Sequence, residues 1–248
     1  MERRELTYTA ADGLKLTGVL VDGSQGRPAP GILVAHEAPG RDERMVKWAE
    51  KLASAGFVAL ALDLYGVPFS VAEAVARHEE MMRTPGLMLA RATAALDALA
   101  NQANVDRHRL AAVGFCQGGI VAAELARAGA PILGAVGFHP GLARPAGSQD
   151  GPIAAMVLMM IGDRDPVVPP ADRAAFAAEM EAKGADWQLH LFGGVGHTYT
   201  NPAADTLGRV GFAYDPKAER RAWAMAMSLF EEVFEQKPSP HPKPLLQP

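Results

Sequence analysis

The stretch Leu110-Ala-Ala-Val-Gly-Phe-Cys-Gln-Gly-Gly119 joins a short apolar run to a helix-like one through a cysteine flanked by glycines. A nucleophile on such a strand-to-helix turn stands clear of the sheet, and the residues two before and two after it crowd the turn. Both must lack a Cβ, as Gly114 and Gly118 do. The helix N-terminus beneath Cys116 favours a thiolate. The backbone N–H of Gln117 then points toward a developing oxyanion. The bland alternative is a small buried cysteine in a glycine-rich turn. Its place between strand and helix favours chemistry.

Outward from this turn, short apolar runs alternate with helical patterns. Leu14 to Val21 alternates as an antiparallel strand does. Ile32 to Ala35, Val58 to Leu62, Leu110 to Phe115, Ile132 to Phe138, Ala154 to Ile161 and Gln188 to Phe192 have the brief apolar character of buried parallel strands. Helices are expected over Arg44 to Ala55, Leu87 to Ala100, Gly119 to Ala128, Ala171 to Lys183 and Pro216 to Phe234. Gly56, Gly129 and Gly184 stand where helix C-caps belong. This order implies an open, doubly wound, mostly parallel sheet of about eight strands with helices on both faces. Early strands without a following helix argue against a TIM barrel. Residues 1–236 are read as one domain, and the five-proline stretch 237–248 as a flexible tail that cannot continue a helix.

Composition narrows the chemistry. With 248 residues, 49% of them apolar, the chain builds a full core without staples. One cysteine forms no internal disulfide. A net charge of −4 gives no basic footprint for nucleic acid. The longest apolar run, Ile153 to Ile161, is too short to span a bilayer, and no secretory signal is visible. The expectation is a cytoplasmic enzyme, monomer or homodimer, that engages neither nucleic acid nor membrane.

A cysteine nucleophile needs a base and an acid, and in sheets with this turn they follow it along the chain, acid before histidine. Gly162-Asp-Arg-Asp-Pro-Val-Val-Pro169 puts Asp163 and Asp165 at one strand end. Gly193-Gly-Val-Gly-His-Thr-Tyr199 puts His197 in a flexible loop after the next. His197 is the expected general base, its tautomer held by an aspartate. Spacing alone leaves Asp163 and Asp165 both open.

These segments, with His36-Glu-Ala-Pro-Gly40, Leu60-Ala-Leu-Asp-Leu-Tyr-Gly66 and Gly196-His-Thr-Tyr-Thr-Asn-Pro202, resemble the dienelactone hydrolase family over roughly residues 14 to 235. The resemblance implies an α/β-hydrolase fold and a Cys116, His197, Asp165 triad, because the family's catalytic aspartate is followed by x-x-Val-Pro. It also implies that Glu37 contacts the resting cysteine and takes part in its activation. The Ala38 N–H would be the second oxyanion donor beside Gln117. Where the family carries an arginine four residues after the catalytic histidine, this chain has Asn201, which supplies no charged clamp for a carboxylate. A neutral ester therefore fits better than dienelactone itself.

A cap segment about 64–86 carries Tyr65, Phe69, Arg77, Met81, Met82 and Arg83. Of these Tyr65, Phe69, Arg77 and Met81, together with Tyr199 and Asn201, are the candidate substrate contacts, although side chains at helical spacing are more often core. His139, after the strand end in Phe138-His-Pro-Gly141, is either a residue at the rim of the cleft or a satisfied turn histidine, the latter being favoured; His78 and His190 are expected at the surface. His36-Glu37 is not a zincin motif, since position 40 is Gly. Neither a metal nor an organic cofactor is expected. The implied substrates are small esters or lactones, with activated phosphotriesters as a side activity. Two other readings are an acyltransferase that uses the same acyl-enzyme and a non-catalytic binding protein of this fold.

Overall fold

A computed structural model describes residues 2–67, 70–206 and 208–235. Eight strands form one sheet in the order β1-β2-β4-β3-β5-β6-β7-β8. They are β1 (Glu2–Thr9), β2 (Lys15–Asp22), β3 (Ala29–Ala35), β4 (Val58–Ala61), β5 (Val105–Phe115), β6 (Gly134–Phe138), β7 (Met156–Gly162) and β8 (Trp187–Phe192). The β1–β2 and β2–β4 pairs are antiparallel, and every other pair is parallel. The fold is that of the α/β hydrolases, as the resemblance implied.

Six helices cover the sheet: α1 (Glu43–Ser54), α2 (Ala74–Arg83), α3 (Leu87–Ala100), α4 (Gln117–Arg127), α5 (Pro170–Ala182) and α6 (Pro216–Glu235). Alternate strand residues point to opposite faces. Ile32 and Val34 of β3 join α1 and α6 in one buried cluster, whereas Leu33 and Ala35 join α3, α4 and α5 in the other. Asp42 caps α1 by accepting from the Met45 N–H. Gly56, Gly129 and Gly184 all lie at positive φ just past helix ends, as expected of C-caps.

The boundaries differ from the sequence reading where local chemistry masks the pairing. β5 begins at Val105 rather than Leu110, because Val105 and Asp106 pair with Ala29 and Pro30 before a register shift. The polar run 106–109 hides this from an apolar pattern. α4 starts at Gln117, directly after the nucleophile, and all eleven of its residues are buried.

From β3 the chain steps outward to β4, then crosses back past β3 to β5. The carboxyl ends of β3 and β5 therefore flank a topological switch point, where open α/β sheets bind ligands. Glu37 follows one end and Cys116 the other. The proposed tail 237–248 lies outside the described residues, and among those described no helix is long and apolar enough to cross a membrane.

Candidate active site

Cys116 sits between β5 and α4 at φ +52°, ψ −112°, a conformation that costs an L-residue about 1–3 kcal/mol. Its N–H donates to the Phe138 carbonyl at 3.1 Å, and its carbonyl accepts from the Gly119 N–H at 3.0 Å. A Cβ on Gly114 would lie 1.9 Å from the Gly118 carbonyl oxygen, and one on Gly118 would lie 2.1 Å from that of Ala35. Neither contact is sterically possible, so the two glycines are obligatory. The strain holds the sulfur up, and Cys116 stays partly exposed.

His197 reaches this sulfur from the loop after β8, its Nε2 3.2 Å from Cys116 Sγ. Its Nδ1 donates to Asp165 Oδ2 at 2.7 Å, and the other Asp165 oxygen accepts from the Val167 N–H at 2.8 Å. The choice that spacing left open is thereby made. Asp163 instead accepts from the Gly194 N–H at 2.5 Å and braces the histidine loop. The His197 backbone is fixed on both sides, donating to Gly211 and accepting from Ala213, and the Phe212 ring packs edge-on at 4.9 Å. Burial works against a charged imidazole, but the Cys116 sulfur and then Asp165 outweigh it. The His197 pKa is raised to about 10.

The loop after β3 supplies the opposite wall. His36 is fully buried. Its Nδ1 donates to the Glu37 carbonyl at 2.7 Å and its Nε2 accepts from the Leu64 N–H at 3.2 Å, the pattern of a neutral imidazole. Burial accordingly pushes its pKa down. Asp63 accepts from the Tyr65 and Gly66 N–H groups and fixes the turn after β4. The Tyr65 hydroxyl then lies 3.1 Å from both the Ala38 carbonyl and Gln117 Oε1. Burial above all raises the Tyr65 pKa to about 12, so the phenol keeps its proton. Among the described residues, the backbone N–H groups of Ala38 and Gln117 find no partner within the fold.

Glu37 is buried, and its Oε2 pairs with Arg44 of α1. The hydrogen bond that Cys116 Sγ makes is to His197, not to Glu37. Met81 and Tyr199 are fully buried: Met81 belongs to the α3–α4 core, and the Tyr199 hydroxyl donates to the Met160 carbonyl at 3.1 Å. The Asn201 side-chain oxygen accepts from the Ala203 N–H and starts the short 3-10 turn Pro202–Thr206. Arg77 lies on α2, 3.4 Å from Glu80, and its charge acts on the Tyr65 hydroxyl. Phe69 lies outside the described residues.

Three side chains join the site that the sequence reading favoured leaving outside it. Arg44 read as an ordinary helix residue. His78 is half-buried rather than at the surface, and its Nδ1 lies 2.7 Å from Gln117 Oε1. His139 is fully buried beside His197 and is not the fully satisfied turn residue favoured from sequence, because its Nδ1 has no hydrogen-bond partner among the described residues. Its position in Phe138-His-Pro-Gly141, at the end of a buried strand next to β5, was the available signal.

A strained cysteine on a strand-to-helix turn, a histidine on its sulfur and a buried aspartate behind the histidine define a cysteine hydrolase of the α/β-hydrolase fold. The chain belongs to the dienelactone hydrolase family, whose model matches residues 16–234. A solved dienelactone hydrolase-like promiscuous phosphotriesterase from metagenomic libraries is 35% identical, with a TM-score of 0.87 over 94% of this chain and 98% of that one. A Bradyrhizobium protein named a probable 2-oxo-3-(5-oxofuran-2-ylidene)propanoate lactonase is 29% identical over 78% of this chain and 80% of its own. An uncharacterised Caenorhabditis elegans protein is 30% identical over 60% of this chain and 96% of its own. The protein is a hydrolase with Cys116, His197 and Asp165 as its catalytic triad.

Proposed function

We propose that this enzyme hydrolyses small carboxylic esters and lactones through a thioester on Cys116, and that activated phosphotriesters are a side activity. The observation that carries the reading is the sulfur-to-imidazole contact of 3.2 Å, backed by Asp165 at 2.7 Å. In the cycle, the Cys116 thiolate attacks the ester carbonyl carbon while the Ala38 and Gln117 N–H groups hold the oxyanion. The tetrahedral adduct expels the alcohol, which leaves with the proton of His197 Nε2. His197, now neutral, takes a proton from water. The resulting hydroxide attacks the thioester, and the carboxylic acid departs with return of the thiolate and imidazolium. Glu37 is the carboxylate that takes part in activating Cys116 when substrate binds.

The phosphotriester activity is supported by the similarity to the promiscuous phosphotriesterase and by an oxyanion hole able to hold a phosphoryl oxygen. Residues 1–236 are read as one domain, with 64–86 lying over the cleft and Tyr65 and Arg77 facing the substrate. All the triad groups come from one chain, so a monomer or a homodimer serves equally. A lone catalytic thiol suits a reducing cytoplasm.

The test is intact-mass trapping with p-nitrophenyl acetate and with paraoxon, on wild type and Cys116→Ala. Wild type should gain one acyl or one phosphoryl group, and the alanine variant neither. An adduct that persists in Cys116→Ala overturns the nucleophile. Product analysis with added alcohols or thiols separates hydrolysis from acyl transfer.

A further inference from the structure

The triad and the oxyanion loop leave His139, a buried titratable group, without a task. His139 follows β6 at φ +39°, a left-handed conformation disfavoured for a side chain of this size. It is fixed there by its N–H on the Met160 carbonyl at 2.9 Å. Its ring meets those of His197 and Tyr199 edge-on, each at 5.1 Å. Its Nε2 lies 2.8 Å from Thr200 Oγ1, in the histidine loop, and 3.6 Å from Glu37 Oε1. That Glu37 oxygen is buried and has no hydrogen-bond partner among the described residues. One imidazole thus stands between the loop that carries the general base and the Glu37 carboxylate of the loop after β3.

The surroundings decide its protonation and its tautomer. The charged groups that face it are Glu37 from the loop after β3, Arg44 from α1, and His197 with Cys116 and Asp165 behind it. Tyr199 contributes its ring and a hydroxyl that meets the His139 backbone. A second imidazolium would sit against His197 and Arg44 away from water. Burial, the His197 charge and the Arg44 charge accordingly hold its pKa well below the usual histidine value. A neutral imidazole has one N–H. On Nδ1 it would leave the Nε2 lone pair facing the Glu37 carboxylate. On Nε2 it donates to Thr200 with Glu37 Oε1 next in line, and a closure of about 0.5 Å makes the second bond.

We propose that His139 is a positioning residue whose Nε2–H, shared between Thr200 and Glu37, ties the Glu37 carboxylate to the loop that presents His197. Glu37 then holds a fixed place relative to the sulfur, with Arg44 gripping one oxygen and His139 guiding the other. The role rests on the reading of Glu37 as part of the activation of Cys116. It goes beyond that reading in naming what sets the carboxylate's position.

The experiment exploits the lone cysteine. The rate of Cys116 alkylation by iodoacetamide, followed by intact mass across pH 5 to 10, reports the sulfur without any substrate. A double-mutant cycle combines His139→Phe, which keeps an aromatic wedge and removes the N–H, with Glu37→Gln. His139→Phe should move the midpoint of the alkylation profile and lower kcat for p-nitrophenyl acetate about ten- to a hundredfold, with KM within about twofold. In the Glu37→Gln background it should do little more. His139→Gln, which keeps an N–H donor, should restore part of the loss, and it carries the cycle if the Phe variant does not fold. An unmoved alkylation midpoint overturns the proposal, as do effects that are the same in both Glu37 backgrounds. A wild type that hydrolyses no ester defeats the proposed function instead, while the alkylation cycle still reads out.

Discussion

At the residue scale the site is governed by one charge pattern. His197 owes its raised pKa first to the Cys116 sulfur and then to Asp165, both working against burial. The sign follows directly. A folded-state value near 10, above the ordinary 6.5, adds stability that is fully present below about pH 6.5 and is lost as pH rises toward 10. In Cys116→Ala the larger of the two supports disappears and burial remains, so His197 should titrate well below 10 by imidazole NMR. An unchanged titration would show that the sulfur does not sustain the charge. The two aspartates separate in the same way. Asp165→Asn should cut kcat about ten-thousand-fold, the scale found when a triad acid is lost. Asp163→Ala, which frees only the Gly194 N–H, should stay within about tenfold of wild type. Comparable losses in the two variants would refute the assignment. From residue types and spacing both aspartates fitted, because tandem Asp at a strand end looks alike whichever one turns inward. Only the 2.7 Å contact with Nδ1 tells them apart in this chain, in agreement with the x-x-Val-Pro pattern.

At the scale of elements, the parallel strands and five of the helices were legible because apolar periodicity and glycine caps are local signals. The polar part of β5 was not, since its partner residues Ala29 and Pro30 lie far off in sequence. Nor was the burial of α4. Its Glu124 and Arg127 carry charges that no local signal places inside, yet each is about 2% exposed or less. Arg127 bonds Glu124 at 2.9 Å and makes a two-pronged pair with Glu179 of α5 at 2.9 and 2.7 Å. Removing one member of such a pair leaves an uncompensated buried charge. Arg127→Ala should therefore cost about 3–5 kcal/mol in urea unfolding. Replacing all three charges together by apolar residues of similar volume should cost far less. A small loss in Arg127→Ala would mean that water reaches Glu124.

At the scale of the molecule, the site is an assembly of distant chain segments brought to one sheet edge. Glu37, Cys116, His139, Asp165 and His197 come from five separate strand ends. The sequence pattern placed four of them there through the turn motif, the acid-then-histidine order and the family resemblance. His139 and Arg44 escaped because their significance depends on what they face, and facing is a tertiary property. The aromatic floor has the same character. Trp48 of α1 packs on Phe115 at 4.9 Å, Phe138 at 5.6 Å and Trp223 of α6 at 5.5 Å. It joins two helices on one face to the strand ends that carry Cys116 and His139.

The nucleophile is also the first anchor of a helix that is enclosed along its whole length. Eleven residues at about 1.5 Å each make a strut of roughly 16 Å, seated on the sheet and pinned at its far end to α5. Such a strut has no hinge of its own, so Cys116 moves only as the interior moves. Heat then has no mild way to displace the sulfur. The sulfur stays in place until the core itself opens.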